Sequence, residues 1–526
     1  MPPREHDHLS SGDALFLYLE REGTPLNVAS VSIFESEIPL GACRKFIASK
    51  LPLIPRYQQR VAPPPFNIGL PTWEYDPEFD IRNHVREVRL TRGTENELKA
   101  VAGKILSQVM NRQRPLWDFT LVRGLKGNRT AVVTRIHHCL ADGLAGVALM
   151  NVLMDANAEA PRLGLKAKAR RPKAKGPATL LGELVTSSFS VAQRILTAQM
   201  EISRVFEQAL TPAGETGTNG GPRLDGLPAD EMAGLISELT GMTQRLPFNV
   251  ICRGPQKFRW AEIPLAELKA VKEAYGATLN EVVLTLMTAV IRRYSELRGV
   301  RVKGRLLRIV VPVNVRGNGS ATELGNQITF LPVTIPMDIR HPRKLLRAVQ
   351  KRMMFLKAAH VAECVGITGT MLGTIPTAAQ MVMGPMASRV PLGLCNTICT
   401  NVPGPTSPLY LIGHKMVSCY PYVPIGGDLG LNCAMLTYNG VAYFGMTADR
   451  AAVPEVARLE KFLITGFAEL QESAGLGRAR KRQRFRRGAR PGETPAAWAG
   501  LGMTEHTPKP VTATAGKDDL RASVGA

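Results

Sequence analysis

The sequence predicts a mixed α/β (α+β) protein in two halves, and three observations carry that expectation. The chain has 526 residues, too many for one comfortable hydrophobic core, which points to two domains of ordinary size and a tail. Stretches with period-two apolar patterning alternate with stretches of helical period, on both sides of a break near Ala160. That break is a run of Lys and Arg, and periodicity is lost again after Gly475. The expected division is residues 1–160, a basic linker with a bridging helix over 161–246, a second half over 247–474, and a disordered basic tail over 475–526.

The elements follow in order. Leu9-Ser10-Ser11-Gly12-Asp13 precedes a short apolar helix, Ala14 to Leu19, with Ser or Asp available as its cap. Val28 to Phe34 alternates as a half-buried strand. Residues 41–51 and 95–111 read as amphipathic helices, with a loop at Pro63-Pro64-Pro65 between them. Asp118 to Arg123 and Thr130 to Ile136 read as strands joined through Lys126-Gly127-Asn128. An apolar helix follows over Leu144 to Met154, and a long amphipathic one over Leu181 to Leu210. The longer helix is read as a bridge packed on the protein, with an interfacial membrane helix as the alternative. Thr211 to Gly221 is a Gly/Thr loop. The second half alternates helices (266–275, 279–297, 343–358, 454–470) with strands (308–313, 328–335, 431–438, 441–446).

Composition narrows the class. Hydrophobic residues make up 44% and charged residues 21%, a globular balance. The eight cysteines show no CxxC pair and no metal spacing, so buried thiols in a reducing compartment are expected. Met1 to Asp13 lacks an apolar core, so no signal peptide is expected, and the longest apolar run, Val282 to Ile291, suits a buried helix. Of the net charge of +22, two runs free of acid, 162–175 and 478–490, supply seven and eight Lys/Arg. Such runs suit anionic headgroups or phosphates without sequence readout, with a plain solvated linker as the alternative. With Phe485 the only aromatic in the second run, specific nucleic-acid binding is not expected.

The run His137-His138-Cys139-Leu140-Ala141-Asp142-Gly143 carries the chemistry. Strand parity sets His138 on one face with Ile136 and Thr134, and His137 on the other with Arg135. The two histidines therefore have different roles. Small residues Gly143, Ala145 and Gly146 would let the following helix approach closely. Acyl transfer from an activated thioester to an alcohol needs a base for the hydroxyl proton and a donor for the oxyanion, and neutral imidazole suits the first task. Cys139 offers a rival acyl-thiol route, which parity disfavours because neighbouring strand residues point apart. No GxSxG, P-loop, HExxH or GxGxxG motif occurs.

HHxxxDG resembles the signature of the CoA-dependent acyltransferase superfamily, which includes chloramphenicol acetyltransferase and nonribosomal condensation domains. Within it the chain resembles the bacterial wax ester synthase/diacylglycerol acyltransferases. The resemblance rests on Leu9 to Asp13, Pro115-Leu116-Trp117, Asn280, Val311 to Arg316 with Gly325-Asn326, and Asn401-Val402-Pro403-Gly404-Pro405. It departs at Glu281, where the family has Asp, at Cys139, often Ala, and at Thr400, often Ser. It implies two chloramphenicol-acetyltransferase-like subdomains, each a mixed sheet flanked by helices, with the active site in a channel between them. It implies His138 as base, His137 and Asp142 as structural supports, and Asn280 with Gly143 lining the substrate site. No cofactor or metal is implied, acyl-CoA being a co-substrate. The implied partners are long-chain acyl-CoA and diacylglycerol or a fatty alcohol, at a cytoplasmic site peripheral to an anionic membrane or lipid droplet. The alternatives are a carrier-protein-dependent, condensation-type transferase and a non-catalytic lipid- or nucleic-acid-binding homologue.

Overall fold

A computed structural model describes residues 8–64, 70–141, 143–159, 241–314, 328–358, 377–391 and 393–476. Asp142, the expected helix over 181–210, the loop 211–221, the basic runs and nearly all of the expected tail lie outside these residues.

The N-terminal part runs α1 (Ser11–Leu19), β1 (Asn27–Phe34), α2 (Leu40–Lys50), β2 (Gln59–Ala62), β3 (Thr72–Tyr75), α3 (Ile81–His84), β4 (Val85–Arg89), α4 (Glu95–Leu106), β5 (Trp117–Leu125), β6 (Arg129–His137) and α5 (Gly143–Leu153). The C-terminal part begins with β7 (Gln256–Pro264), α6 (Leu265–Ala274), α7 (Leu279–Leu297), β8 (Leu306–Asn314), β9 (Ile328–Pro336), α8 (Pro342–Ala358) and α9 (Thr377–Ala387). It continues with β10 (Thr397–Val402), β11 (Tyr410–Leu411), β12 (His414–Tyr422), β13 (Leu431–Tyr438), β14 (Val441–Asp449) and α10 (Ala457–Ser473).

The strands form two six-stranded sheets, ordered β11-β12-β1-β6-β5-β4 and β7-β14-β13-β10-β8-β9, beside the small β2-β3 pair. Both large sheets are mixed: β4 pairs parallel with β5 in the first, and β10 pairs parallel with β8 and β13 in the second. The expected mixed sheets with flanking helices are therefore present. The first sheet takes two strands from the C-terminal part, because β12 pairs antiparallel with β1 through Ala29 opposite Tyr422 and Val31 opposite Tyr420.

Local sequence accounts for several boundaries. Ser10 caps α1 by accepting from the Asp13 amide at 3.0 Å. The β5–β6 hairpin turns at Gly127 and Asn128, with φ of 81° and 55°, the left-handed pair that a tight hairpin requires and that these two residue types tolerate. Helix α4 stops at Leu106, short of the expected residue 111, where the Ser107 hydroxyl turns back to donate to the Gly103 carbonyl at 2.6 Å. Helix α10 spans 457–473 instead of 454–470.

Two apolar cores result. One lies under the first sheet, around Phe34, Trp117, Leu121 and Val133, and the other surrounds α7, α8 and α10 on the second sheet. Helix α7 is buried along most of its length, as a core helix should be. Among the described residues no single helix is long and apolar enough to cross a membrane. An aromatic seam carries the first core onto strands of the second sheet: Trp260 of β7 stacks on Tyr420 of β12 at 4.7 Å, and Tyr443 of β14 meets Tyr420 edge-on at 5.3 Å.

Candidate active site

The β6 strand delivers the two histidines, and its neighbours fix where they point. The His137 amide donates to the Leu116 carbonyl at 2.9 Å on one side, and the His138 amide donates to the Leu26 carbonyl at 2.9 Å on the other. Consecutive amides bonding to opposite neighbours are the mark of extended backbone, so the side chains leave opposite faces as parity requires. Beyond His138 the chain turns, with the Leu140 amide donating to the His137 carbonyl at 2.9 Å.

His137 is fully buried opposite Asn27 of β1. Its Nδ1 accepts from the Cys139 amide at 3.1 Å, and its Nε2 lies 3.4 Å from the Glu20 carboxylate at the end of α1. Glu20 also accepts from the Leu26 amide at 3.0 Å and from Arg112 at 3.1 Å. Burial pushes the Glu20 carboxyl up, but the contact with His137, the Leu26 amide and the Arg112 charge outweigh it and hold the group below its ordinary value.

His138 occupies the other face. Phe16 of α1 stacks on it, with ring centroids 3.9 Å apart and planes 9° from parallel. Burial drives its pKa down to about 4, against a hydrogen bond to its own backbone that raises it, and the neighbouring His137 lowers it further. The ring is thus neutral near pH 7. Asp13, Phe16 and Glu20 are spaced three and four residues apart and share one face of α1, which covers the end of β6.

Below the histidines a buried ion pair braces the strand. Arg135 reaches Asp118 of β5 through two bonds of 2.5 and 3.0 Å, and its remaining nitrogen donates to the Ile105 and Gln108 carbonyls at the end of α4. Pro115-Leu116-Trp117 has the same supporting place. Leu116 supplies the carbonyl that holds His137, and Trp117 is a core residue stacked on Tyr57 at 4.6 Å and His84 at 4.5 Å.

This arrangement can be compared with known proteins. Residues 9–283, just over half of the chain, match the wax ester synthase/diacylglycerol acyltransferase catalytic domain, and residues 324–471 match the C-terminal domain of the same family. The chain belongs to the wax ester synthase/diacylglycerol acyltransferase family. A relative from Mycobacterium tuberculosis named "Probable diacyglycerol O-acyltransferase" is 28% identical over 492 residues, covering 92% of this chain and 99% of its own. The wax ester synthase/diacylglycerol acyltransferase from Marinobacter aquaeolei superposes with a TM-score of 0.61 at 23% identity, over 89% of this chain and all of that one. The first condensation domain of the calcium-dependent antibiotic synthetase superposes with a TM-score of 0.52 at 16% identity, over 89% and 96% of the two chains. At these identities the structural likenesses establish the shared fold. Membership of this family makes the chain an acyltransferase.

The remaining family positions are dispersed. Asn280 lies half-buried in the first turn of α7, on the second sheet's helix layer, and does not cap it. Thr278 is the cap, and Glu281 closes a capping box by accepting from the Thr278 amide at 2.8 Å. The longer acid at 281 therefore has a local structural use. Gly143 opens α5, and Asp142 just before it lies outside the described residues. Gly146 has room for a methyl group, which would sit 3.8 Å from Val28, so close approach does not require glycine there. Gly404 differs, since a Cβ would fall 2.2 Å from the Thr437 carbonyl, and the Asn401–Pro405 run thus packs against the end of β13, its parallel neighbour, as only glycine permits. Cys139 is buried, and burial raises its thiol well above the ordinary value. Among the described residues no cluster of His, Cys, Asp and Glu could hold a metal.

The reading from sequence missed Phe16, Glu20, Arg112 and the Asp118–Arg135 pair. The spacing of Asp13, Phe16 and Glu20 was the available signal for the first two. Nothing local marks Arg112, which bonds the Leu17 carbonyl across 95 residues.

Proposed function

We propose that the protein moves a long-chain acyl group from acyl-CoA to the hydroxyl of diacylglycerol or a long-chain alcohol, with His138 as general base. The observation that carries the reading is the neutral His138 imidazole at the strand end, roofed by Phe16. In this reading Nε2 is the basic nitrogen. Nε2 takes the acceptor's hydroxyl proton as that oxygen attacks the thioester carbonyl. When the tetrahedral intermediate collapses, the imidazolium returns the proton to the departing CoA sulfur. A general base of this kind contributes on the order of 10²–10⁴-fold. The thioester is already activated, so the reaction calls for no further cofactor. His137 and Asp142 are supports in this reading, and Asn280 and Gly143 line the substrate path between the two subdomains.

Purified protein given palmitoyl-CoA with dioleoylglycerol or hexadecanol should release free CoA, and His138→Ala should abolish release while leaving the fold intact. No release with any lipid alcohol would overturn the reading. Comparing acyl-CoA with acyl-carrier thioesters separates it from the condensation-type alternative that the shared fold brings to mind. The reading also places the enzyme in the cytoplasm, at the surface of an anionic membrane or lipid droplet, held by the basic runs 162–175 and 478–490. Vesicle flotation with and without those runs tests that placement.

A further inference from the structure

The Glu20–His137 contact has no place in the proton transfers just described, yet Glu20 is a buried carboxylate with several partners beside the site. Its side chain is 1% exposed. One oxygen faces His137 at 3.4 Å and accepts the Leu26 amide at 3.0 Å, while the other accepts Arg112 at 3.1 Å. Three elements therefore converge on it at the end of α1: the end of β6, the segment leading into β1, and the loop between α4 and β5.

The ring opposite has its protonation pattern set by geometry. An amide can only donate, so His137 Nδ1, which receives the Cys139 amide at 3.1 Å, carries no proton. Any proton the ring carries is then on Nε2, 3.4 Å from a Glu20 oxygen, and ionised Glu20 can only accept. His137 thus ties Glu20 on one side to the turn at Cys139 on the other, and His138 lies between the two tied residues. Leu26 adds a second tie, since its amide binds Glu20 while its carbonyl receives the His138 amide.

We propose that Glu20 is a positioning residue for acyl transfer: it fixes His137 as the Nε2–H tautomer and so locks the turn that presents His138. Glu20 itself touches neither substrate nor the transferred proton. The proposal rests on His138 being the base, and its test is separable from that claim because one arm needs no substrate.

That arm is ¹⁵N NMR of the histidine-labelled full-length enzyme, with the His137 signals assigned by their loss in His137→Gln. The wild type should show His137 singly protonated on Nε2, and Glu20→Ala should show mixed tautomers. The kinetic arm compares variants. Glu20→Ala should lower kcat by up to about 100-fold, as expected for a displaced catalytic group, with KM for acyl-CoA unchanged. Glu20→Gln keeps an oxygen able to accept from Nε2 and from the Leu26 amide, and should recover most of the loss. A wild-type ring protonated on Nδ1 would overturn the proposal. Folded Glu20→Ala turning over at the wild-type rate, or Glu20→Gln as damaged as Glu20→Ala, would do so too. If Glu20→Ala does not fold, the wild-type spectrum and the Glu20→Gln kinetics still decide. Loss of CoA release in the wild type would refute the base assignment and leave the spectrum as a test of the tautomer.

Discussion

Phe16 lies flat on His138, ring over ring at 3.9 Å, so the first helix of the chain roofs the imidazole at the end of β6. Such a stack contributes about 0.5–1.5 kcal/mol beyond the area it buries. Phe16→Leu should therefore lower kcat/KM by roughly 2–10-fold and admit water to the ring. The second effect is visible separately, as a shift of the acid limb of the pH–rate profile toward higher pH.

The pH dependence of the wild type follows from burial. The His138 pKa, lowered to about 4, keeps the base deprotonated well below the usual histidine range. kcat/KM should hold level as pH falls from 7.5 to roughly 5.5, the ordinary histidine pKa of about 6.5 notwithstanding. A limb with its midpoint near the ordinary value would contradict that lowered pKa. Stability has the same sign. The unfolded chain binds a proton at this residue at higher pH than the folded one does, so the contribution is complete above the unfolded pKa. It falls as pH drops toward the folded pKa of about 4. Urea titrations at several pH values check this against His138→Gln, which should lose that part of the slope.

Removing Asp118 should be costly. Its partner Arg135 is 2% exposed, and stripping one member of a buried pair costs about 3–5 kcal/mol. Asp118→Ala should lower the denaturation midpoint by a corresponding amount. Arg86, the second cation on Asp118, has a side chain 50% exposed, and Arg86→Ala should cost no more than about 1 kcal/mol.

Cys139→Ala should keep turnover close to the wild type, because burial holds the thiol protonated. The decisive measurement is intact-protein mass after mixing with acyl-CoA. An acylated enzyme that disappears in the alanine variant, together with lost activity, would restore the thiol route.

Glu281→Ala breaks the capping box of α7 and should cost about 1 kcal/mol in thermal or urea unfolding. Its kcat should not change if the acid serves the helix alone.

Much of this fold is legible locally. The β5–β6 hairpin, the capped start of α1 and the buried α7 each announce themselves through period, turn residues or a capping pair. Strands missing from the sequence reading are missing for different reasons. In β7 the sequence Gln-Lys-Phe-Arg-Trp-Ala-Glu-Ile-Pro alternates large apolar residues with charges, but it runs straight into the helical period of 265–274, which blurs its boundary. In β12 the sequence His-Lys-Met-Val-Ser-Cys-Tyr-Pro-Tyr becomes a strand through pairing with β1, some 390 residues earlier, which no local window can register. The site divides in the same way. The histidine pair and its parity are local, whereas Glu20 becomes its neighbour only once α1 folds over the strand.

The insertion of β12 between β11 and β1 has a consequence for anyone dividing the gene. A piece ending near residue 160 would present β1 as a bare, apolar edge lined by Val31 and Ile33, a template for self-association. The two pieces should instead become soluble when co-expressed, each donating what the other's sheet lacks. Active enzyme reassembled from separate polypeptides would then report on the meeting of the two pieces, in the manner of a split reporter.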